Sequence, residues 1–224
     1  VIDKSFRFFT SELSVSMLDD TSSERDLEEI SNTSERNILL IGEGGIGKTT
    51  FLLSLLKKLS NTDTGIIPIY IKLSDCSTNT DHRRIILNSI LEQIPLYTTG
   101  RNVLSYFDIK NSFENSSNKY VLLLDGFNEI TTLDSGEIRY SIANEINELL
   151  QIKNVQIILT SREVDFYGLA LNEFEVIKAT GVSTETIETY ISHTYSPEVC
   201  SKIRGNVELM HLLHNPLFLL MFTH

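Results

Sequence analysis

The 224-residue chain has no tryptophan, only two cysteines and four prolines, and few basic residues: 19 Lys and Arg against 30 Asp and Glu. The formal net charge of −11 provides no overall positive field for a phosphate polymer or an anionic lipid surface, so nucleic acid is not indicated as a partner. Hydrophobic residues still make up 41% of the chain, enough for a globular core. Disordered and fibrous classes are therefore excluded.

Long apolar runs are also missing. The longest, 216–222, is far shorter than the roughly 18 residues of a membrane helix, and no signal-peptide pattern opens the chain. We therefore expect no membrane span and a cytoplasmic protein. Cys76 and Cys200 are too far apart in sequence to form a metal-ligand pair, and we expect reduced packing residues. The start at Val1 without methionine and the apolar end suggest a piece of a larger protein.

Short apolar segments alternate with helical ones, which predicts an α/β fold: a parallel sheet flanked by helices. Strands are predicted at 37–41, 66–73, 120–124, 155–160 and 174–178, and helices at 48–59, 81–94 and 136–151. Pro68 lacks a backbone donor, so the second strand is expected at an edge. The first 36 residues and the polar stretch up to Asn118 receive no firm assignment.

After Gly181 the pattern becomes purely helical. Ser183 opens one predicted helix, and Ser196-Pro197 opens another that Gly205 can end. We therefore place a boundary near residue 180. It separates an α/β domain, 1–180, from the beginning of a small helical domain, 181–224.

The segment after the first predicted strand, GEGGIGKT at 42–49, fits the phosphate-binding pattern of glycine, four residues, glycine, lysine and threonine. Its glycines let successive amide groups point at an anion, and the following helix contributes its positive N-terminus. Lys48 is expected to reach the β and γ phosphates, and the Thr49 hydroxyl to ligate Mg²⁺. The predicted phosphate-binding residues are Gly42, Glu43, Gly44, Gly45, Ile46, Gly47, Lys48 and Thr49.

Two acids and an arginine follow the later strands. Asp125 directly follows a continuous apolar run and is the candidate acid for the metal, while Glu129 is the candidate for polarising an attacking water. Arg162 is placed to sense the γ-phosphate charge. The competing interpretations are a solvated acidic turn for the two acids and an ordinary surface ion pair for Arg162.

The polar residues near the C-terminus have both structural and functional interpretations. Asn215-Pro216 is explained either as the cap and first residue of a helix or by a direct role in the site. His211 and His214 are expected to be solvated or core residues rather than metal ligands, because no cluster of cysteines or acids joins them.

Together these segments resemble the NACHT domain of the STAND class of P-loop NTPases. The resemblance rests on 38–50, on the sequence LLLDGFNE at 122–129, on Thr160-Ser161-Arg162 and on Asn215-Pro216-Leu217, in the family's order. It implies that the loop with Thr50 binds nucleotide, that Thr49 and Asp125 serve the metal, that Arg162 is the sensor arginine and that Pro216 packs against adenine. The family usually has an acid where this chain has Asn128, which leaves only Glu129 of the pair, so slow hydrolysis is expected.

The resemblance further implies a molecular switch with bound ATP or ADP and Mg²⁺, weak ATPase activity, and self-association of the full-length protein on activation. Effector and sensor domains would lie outside this sequence, and the setting would be innate immunity or antiviral defence. A GTPase is disfavoured because the Asn118-Lys119 pair lacks a following acid that could read guanine. An AAA-type remodelling ATPase and a non-hydrolysing, nucleotide-stabilised structural module remain as alternatives.

Overall fold

The computed structural model describes residues 13–17, 20–26, 36–61, 65–78, 84–94, 104–130, 135–162, 166 and 168–223. Its strands are β1 Leu13–Met17, β2 Asp20–Asp26, β3 Asn37–Ile41, β4 Ile66–Lys72, β5 Lys119–Asp125, β6 Val155–Ser161 and β7 Phe174–Val182. Its helices are α1 Lys48–Ser60, α2 Ile85–Gln93, α3 Tyr106–Asn115, α4 Ser135–Leu149, α5 Thr184–Thr194, α6 Pro197–Arg204, α7 Val207–Leu213 and α8 Pro216–Thr223. Short 3₁₀ helices occupy Leu73–Thr78, Phe127–Glu129 and Leu171–Glu173.

The seven strands form one sheet with the order β2-β1-β7-β3-β6-β5-β4. Strands β3 to β7 form the predicted five-stranded parallel sheet flanked by helices, so the predicted fold class is confirmed. Strand β4, which carries Pro68, lies at the edge as predicted. Strands β1 and β2 form an antiparallel extension beside β7.

The chain divides into two compact units. Unit 1 contains Val1–Ser34, Leu40–Phe51 and Val176–His224, and unit 2 contains Glu35–Leu39 and Leu52–Glu175. The boundary expected near residue 180 stays a prediction.

Unit 2 is organised around β5. This strand pairs in parallel with β4 on one side and with β6 on the other, and the pairing sets Lys72 beside Asp125. Its residues Leu122, Leu123 and Leu124 are fully buried, as expected for a continuous apolar strand that is covered on both faces. The rigid strand therefore fixes the position of Asp125 at its carboxyl end.

Unit 1 has a small helical core of its own. The side chains that form it come from the end of β7 and from α5, α6, α7 and α8: Val182, Ile187, Ile191, Cys200, Ile203, Leu213 and Leu219. Helix α5 begins as predicted, with the Ser183 hydroxyl accepting a hydrogen bond from the Thr186 N–H. Helix α6 begins at Pro197 and ends at Arg204, with Gly205 as its C-cap, also as predicted.

Several elements differ from the prediction. Helix α3 lies in the stretch left unassigned, while α2 ends at Gln93, so that Ile94 is 38% exposed instead of completing the apolar stripe. Residues 81–83 of that predicted helix lie outside the described residues. Strand β7 continues beyond Lys178 to Val182.

Within the described ranges, no helix has both the length and the apolar character needed to span a bilayer.

Candidate functional site

The loop at 42–49, called here the phosphate loop, lies in unit 1, follows β3 and runs directly into the first turn of α1. Gly45 and Gly47 have φ angles of +77° and +100°, in the left-handed region that glycine adopts without strain. The first turn of α1 contains no acidic residue, so nothing there opposes the positive N-terminal end of the helix. This local geometry fits an anionic phosphate group.

Lys48 folds back onto the phosphate loop. Its Nζ donates to the carbonyl oxygens of Gly42 at 2.7 Å and of Glu43 at 2.8 Å. The ammonium group is thus held at the mouth of the loop, at the N-terminus of α1, which suits a charge-assisted contact to a phosphate. Its predicted role in binding the nucleotide stays a prediction.

Asn215 caps α8 and also contacts the phosphate loop. Its Oδ1 accepts from the Leu217 N–H at 3.0 Å and caps α8, whose first residue is the buried Pro216. Its Nδ2 donates to the carbonyl oxygen of Gly44 at 2.9 Å, so the same side chain contacts the phosphate loop. The predicted contact of Pro216 with adenine stays a prediction.

A cavity of about 630 Å³ opens beside the phosphate loop in unit 1. Glu43 and Ile46 line it from the loop, and His214, Asn215 and Phe218 line it from the helical segment. Its size lies in the range of small-molecule sites.

In unit 2, Asp125 is fixed through both carboxylate oxygens. Thr160 Oγ1 donates to Oδ1 at 2.6 Å, and the Tyr70 hydroxyl donates to Oδ2 at 3.0 Å. The Thr160 oxygen in turn accepts from the Gly126 N–H at 2.8 Å, so the hydroxyl uses both its acceptor and its donor capacity at this strand end. Only 5% of Asp125 is exposed. The carboxylate is therefore preorganised at the end of β5.

Burial and the neighbouring Asp125 charge raise the pKa of Tyr70. The phenol therefore remains a hydrogen-bond donor at neutral pH. A carboxylate oxygen such as those of Asp125 suits Mg²⁺, which is usually bound by one or two carboxylates together with substrate phosphates. In the part of the chain that the structure describes, no cluster of three or more His, Cys, Asp or Glu side chains forms a metal site.

Glu129, Asn128 and Arg162 lie beyond the ends of β5 and β6. Gly126 has a φ of +78°, and a Cβ atom there would meet Glu129 Oε2 at 3.0 Å, so the exposed acid folds over a glycine turn. Asn128 Oδ1 accepts from the backbone N–H of Arg162 at 3.0 Å. This hydrogen bond connects the ends of β5 and β6. It uses only the backbone of Arg162, whose side chain is exposed.

The remaining candidates have structural surroundings. Cys76 and Cys200 are free and buried, as expected, and burial raises the pKa of Cys76. His211 is exposed, and His214 Nδ1 donates to the Val182 carbonyl at 2.7 Å because that oxygen can only accept.

Sequence reasoning missed three contacts: Tyr70 and Thr160 on Asp125, and Asn215 on Gly44. Each pair is separated by 35 to 171 residues. The only local signal was the polar type of Thr160 at the end of an apolar strand. The partners themselves depend on strand register and helix position.

The solved structures that share the fold include three proteins of known source. The chain aligns with Orc1 of Aeropyrum pernix in complex with DNA at 15% identity and a TM-score of 0.50, covering 84% of this chain and 57% of that one. A Walker-type ATPase of Pyrococcus abyssi aligns at 15% identity and a TM-score of 0.50, covering 84% of this chain and 63% of that one. AMPPCP-bound DnaA of Aquifex aeolicus aligns at 17% identity and a TM-score of 0.50, covering 82% of this chain and 56% of that one. The chain thus spans about three fifths of the length of these proteins.

No curated protein sequence matches the chain at a significant level. The family model of the NACHT domain, in contrast, matches residues 36–198, which include the phosphate loop, Asp125 and Arg162. This match covers well over half of the chain. The chain therefore belongs to the NACHT domain family, which is part of the STAND class of P-loop NTPases.

Proposed function

We propose that this NACHT domain is a nucleotide-controlled switch that binds ATP or ADP with Mg²⁺ and hydrolyses ATP slowly. The observation that carries the proposal is the phosphate loop, with its two left-handed glycines and with Lys48 at the N-terminus of a helix free of acids in its first turn. Residues 42–50 would bind the phosphates. Family membership supports the same function.

Thr49 and Asp125 would hold the metal, which supplies positive charge to the phosphate oxygens. The preorganised carboxylate of Asp125 supports this role, because Tyr70 and Thr160 prevent it from turning away. Pro216 is proposed to contact the adenine.

Slow hydrolysis follows from the residues after β5. Glu129 is the one carboxylate of the usual acidic pair, because Asn128 replaces the other and already accepts from the Arg162 backbone. An amide cannot accept a proton from water, so the base is weakened. The exposed guanidinium of Arg162 would pair with the γ-phosphate, and this contact distinguishes ATP from ADP.

Within a longer protein, such a switch would control self-association, with effector and sensor domains outside this sequence. We place it in immune or antiviral signalling in the cytoplasm, on the strength of the family. An AAA-type remodeller is the less favoured function, because the matched family model is that of the NACHT domain.

The test is to denature the purified protein, identify any released nucleotide by chromatography, and record melting scans with Mg²⁺ and ADP, ATP or GTP. We expect adenine nucleotide in the released fraction, or a melting shift for ADP and ATP only; at a hundredfold excess over Kd, binding stabilises by about 2.7 kcal/mol. An equal shift with GTP would contradict adenine selectivity. No nucleotide and no shift would contradict the proposal.

A further inference from the structure

The carbonyl oxygens of the phosphate loop are held from two directions within unit 1. Lys48 Nζ contacts the first two, those of Gly42 and Glu43, and Asn215 Nδ2 contacts the third, that of Gly44. Lys48 belongs to the loop motif itself. Asn215 lies 171 residues further along the chain than Gly44, so its hydrogen bond brings a segment distant in sequence into contact with the loop.

The contact with Asn215 fixes a peptide plane. In a trans peptide the carbonyl and the following N–H point in opposite directions. When Asn215 holds the Gly44 carbonyl on its own side, the Gly45 N–H is directed to the other side. A loop that binds an anion needs its amide N–H groups, and not its carbonyls, turned toward the phosphate.

Asn215 is itself held in place. It is 92% buried, and its backbone N–H and carbonyl bond to Leu212 and Leu219 respectively. The preceding residue, His214, is joined to Val182 by two hydrogen bonds, one from the Val182 N–H to the His214 carbonyl and one from the His214 ring. The side-chain amide of Asn215 is thus aimed by the end of β7 and by the first turn of α8.

Packing couples the same two elements. A Cβ atom on Gly45 would lie 2.9 Å from Leu217 Cβ and 3.0 Å from Asn215 Oδ1. The loop therefore lies against the first turn of α8 without room for a side chain. A displacement of that turn would remove both the hydrogen bond and the packing from the loop.

We infer that Asn215 is a positioning residue that couples the phosphate affinity of the loop to the placement of α8. The inference rests on the proposed nucleotide binding and adds its regulation: any event that moves the first turn of α8 lowers nucleotide affinity. By linkage, bound nucleotide in turn stabilises that turn.

The test compares Asn215→Ser with Asn206→Ser. Serine caps a helix about as well as asparagine, so α8 and α7 keep their caps, but the amide donor to Gly44 is lost at 215 alone. Asn206 is a matched control because its Oδ1 caps α7 by accepting from the Leu209 N–H. Asn215→Asp is a second variant that keeps the cap and lacks the donor.

We expect the Kd for Mg²⁺-ADP to rise about tenfold in Asn215→Ser, the value of one buried hydrogen bond, and to change less than twofold in Asn206→Ser. Circular dichroism at the titration temperature confirms that each variant is folded. Hydrogen exchange gives a second readout: ADP should slow exchange of the Leu217 and Leu219 amides in wild type but not in Asn215→Ser.

Equal affinities for both Asn215 variants and Asn206→Ser would overturn the inference while leaving the proposed function intact. Absence of binding in the wild type would show instead that the proposed function fails, and the inference falls with it. The wild-type titration, performed first, separates these two results.

Discussion

At the residue scale, the end of β5 is determined by a few polar contacts in a buried setting. Asp125 was predictable from its place after an apolar run, but the donors that hold it were not. Tyr70 is 55 residues away and Thr160 is 35, and only the register of β4, β5 and β6 brings them to the carboxylate.

Removing the Tyr70 hydroxyl should loosen Asp125. Tyr70→Phe leaves one oxygen of a buried carboxylate without its donor, so we expect a loss of about 1 to 3 kcal/mol in the free energy of unfolding, measured by urea denaturation. Mg²⁺-dependent nucleotide affinity should fall, while affinity in EDTA should stay unchanged.

Tyr120→Phe is the matched control, because the Tyr120 hydroxyl makes no hydrogen bond within the described part of the chain. The raised pKa of Tyr70 adds a pH signature. The neutral Tyr70 phenol contributes its full stabilisation of the folded state below the pKa of an unfolded tyrosine, ~10. This stabilisation is lost progressively as the pH rises from that value toward the higher pKa of Tyr70 in the folded state. Wild type should lose more stability than Tyr70→Phe in this alkaline range; parallel curves would argue against the contact.

Asn128 offers a test of slow hydrolysis. Asn128→Asp keeps an oxygen that can accept from the Arg162 N–H and adds a carboxylate beside Glu129. We expect the steady-state turnover of ATP to rise roughly tenfold with unchanged Kd, since a general base contributes this much or more.

Glu129→Gln should lower turnover with binding retained, and equal losses of binding and turnover would mark Glu129 as structural.

At the element scale, the elements predicted correctly have strong local signals. Strands β3 and β5 contain continuous apolar runs, β6 contains the run Ile157 to Leu159, and α1 follows a glycine loop. Helix α3 was missed because only Ile109 and Phe113 are buried in it, one turn apart within a polar stretch. Its start carries a capping box of Ser105 and Asp108, a signal that could have identified it.

Strands β1 and β2 lie in the segment without a firm assignment for a different reason. The β1 sequence, LSVSM, alternates apolar and polar residues over only five positions, a short strand signal, and the β2 sequence, DTSSERD, is polar throughout. Strand β1 pairs antiparallel with β7, more than 150 residues away, and β2 pairs only with β1. The local sequence does not specify a partner strand that lies so far along the chain.

Helix α2 depends on a cap from another helix. Its own N-cap residue, Arg84, makes no capping bond, and instead the buried Glu145 of α4 accepts from the N–H groups of Ile86 at 2.9 Å and Leu87 at 3.0 Å. Burial raises the pKa of Glu145, and these backbone donors oppose the shift. The carboxylate therefore joins α2 to α4 within unit 2.

Glu145→Ala should destabilise the protein by about 2 to 4 kcal/mol, because two backbone donors lose their partner in a buried position. Glu148→Ala on the same helix is the control: Glu148 is half exposed and pairs with Arg84, so about 1 kcal/mol or less is expected. Chemical denaturation of both variants measures the difference. Equal losses would show that Glu145 does not act as the cap.

At the scale of the whole molecule, composition and fold agree on the class of protein. The net charge of −11 disfavours a general nucleic-acid surface, and the parallel sheet with the phosphate loop defines a P-loop NTPase. The solved structures confirm the fold alone, because their identities are 15% to 17%. The switch function therefore rests on the family and on the geometry at each strand end.

The most direct test of the central claim is a calorimetric titration of Mg²⁺-ADP into wild type, Lys48→Ala and Lys57→Ala. Lys57 is exposed on the same helix as Lys48 and controls for the loss of one positive charge. We predict one ADP per chain for wild type, the same affinity for Lys57→Ala, and an affinity at least about tenfold weaker for Lys48→Ala, because a charge-assisted contact to phosphate is removed. Unchanged affinity in Lys48→Ala, or no binding by wild type, would contradict the account.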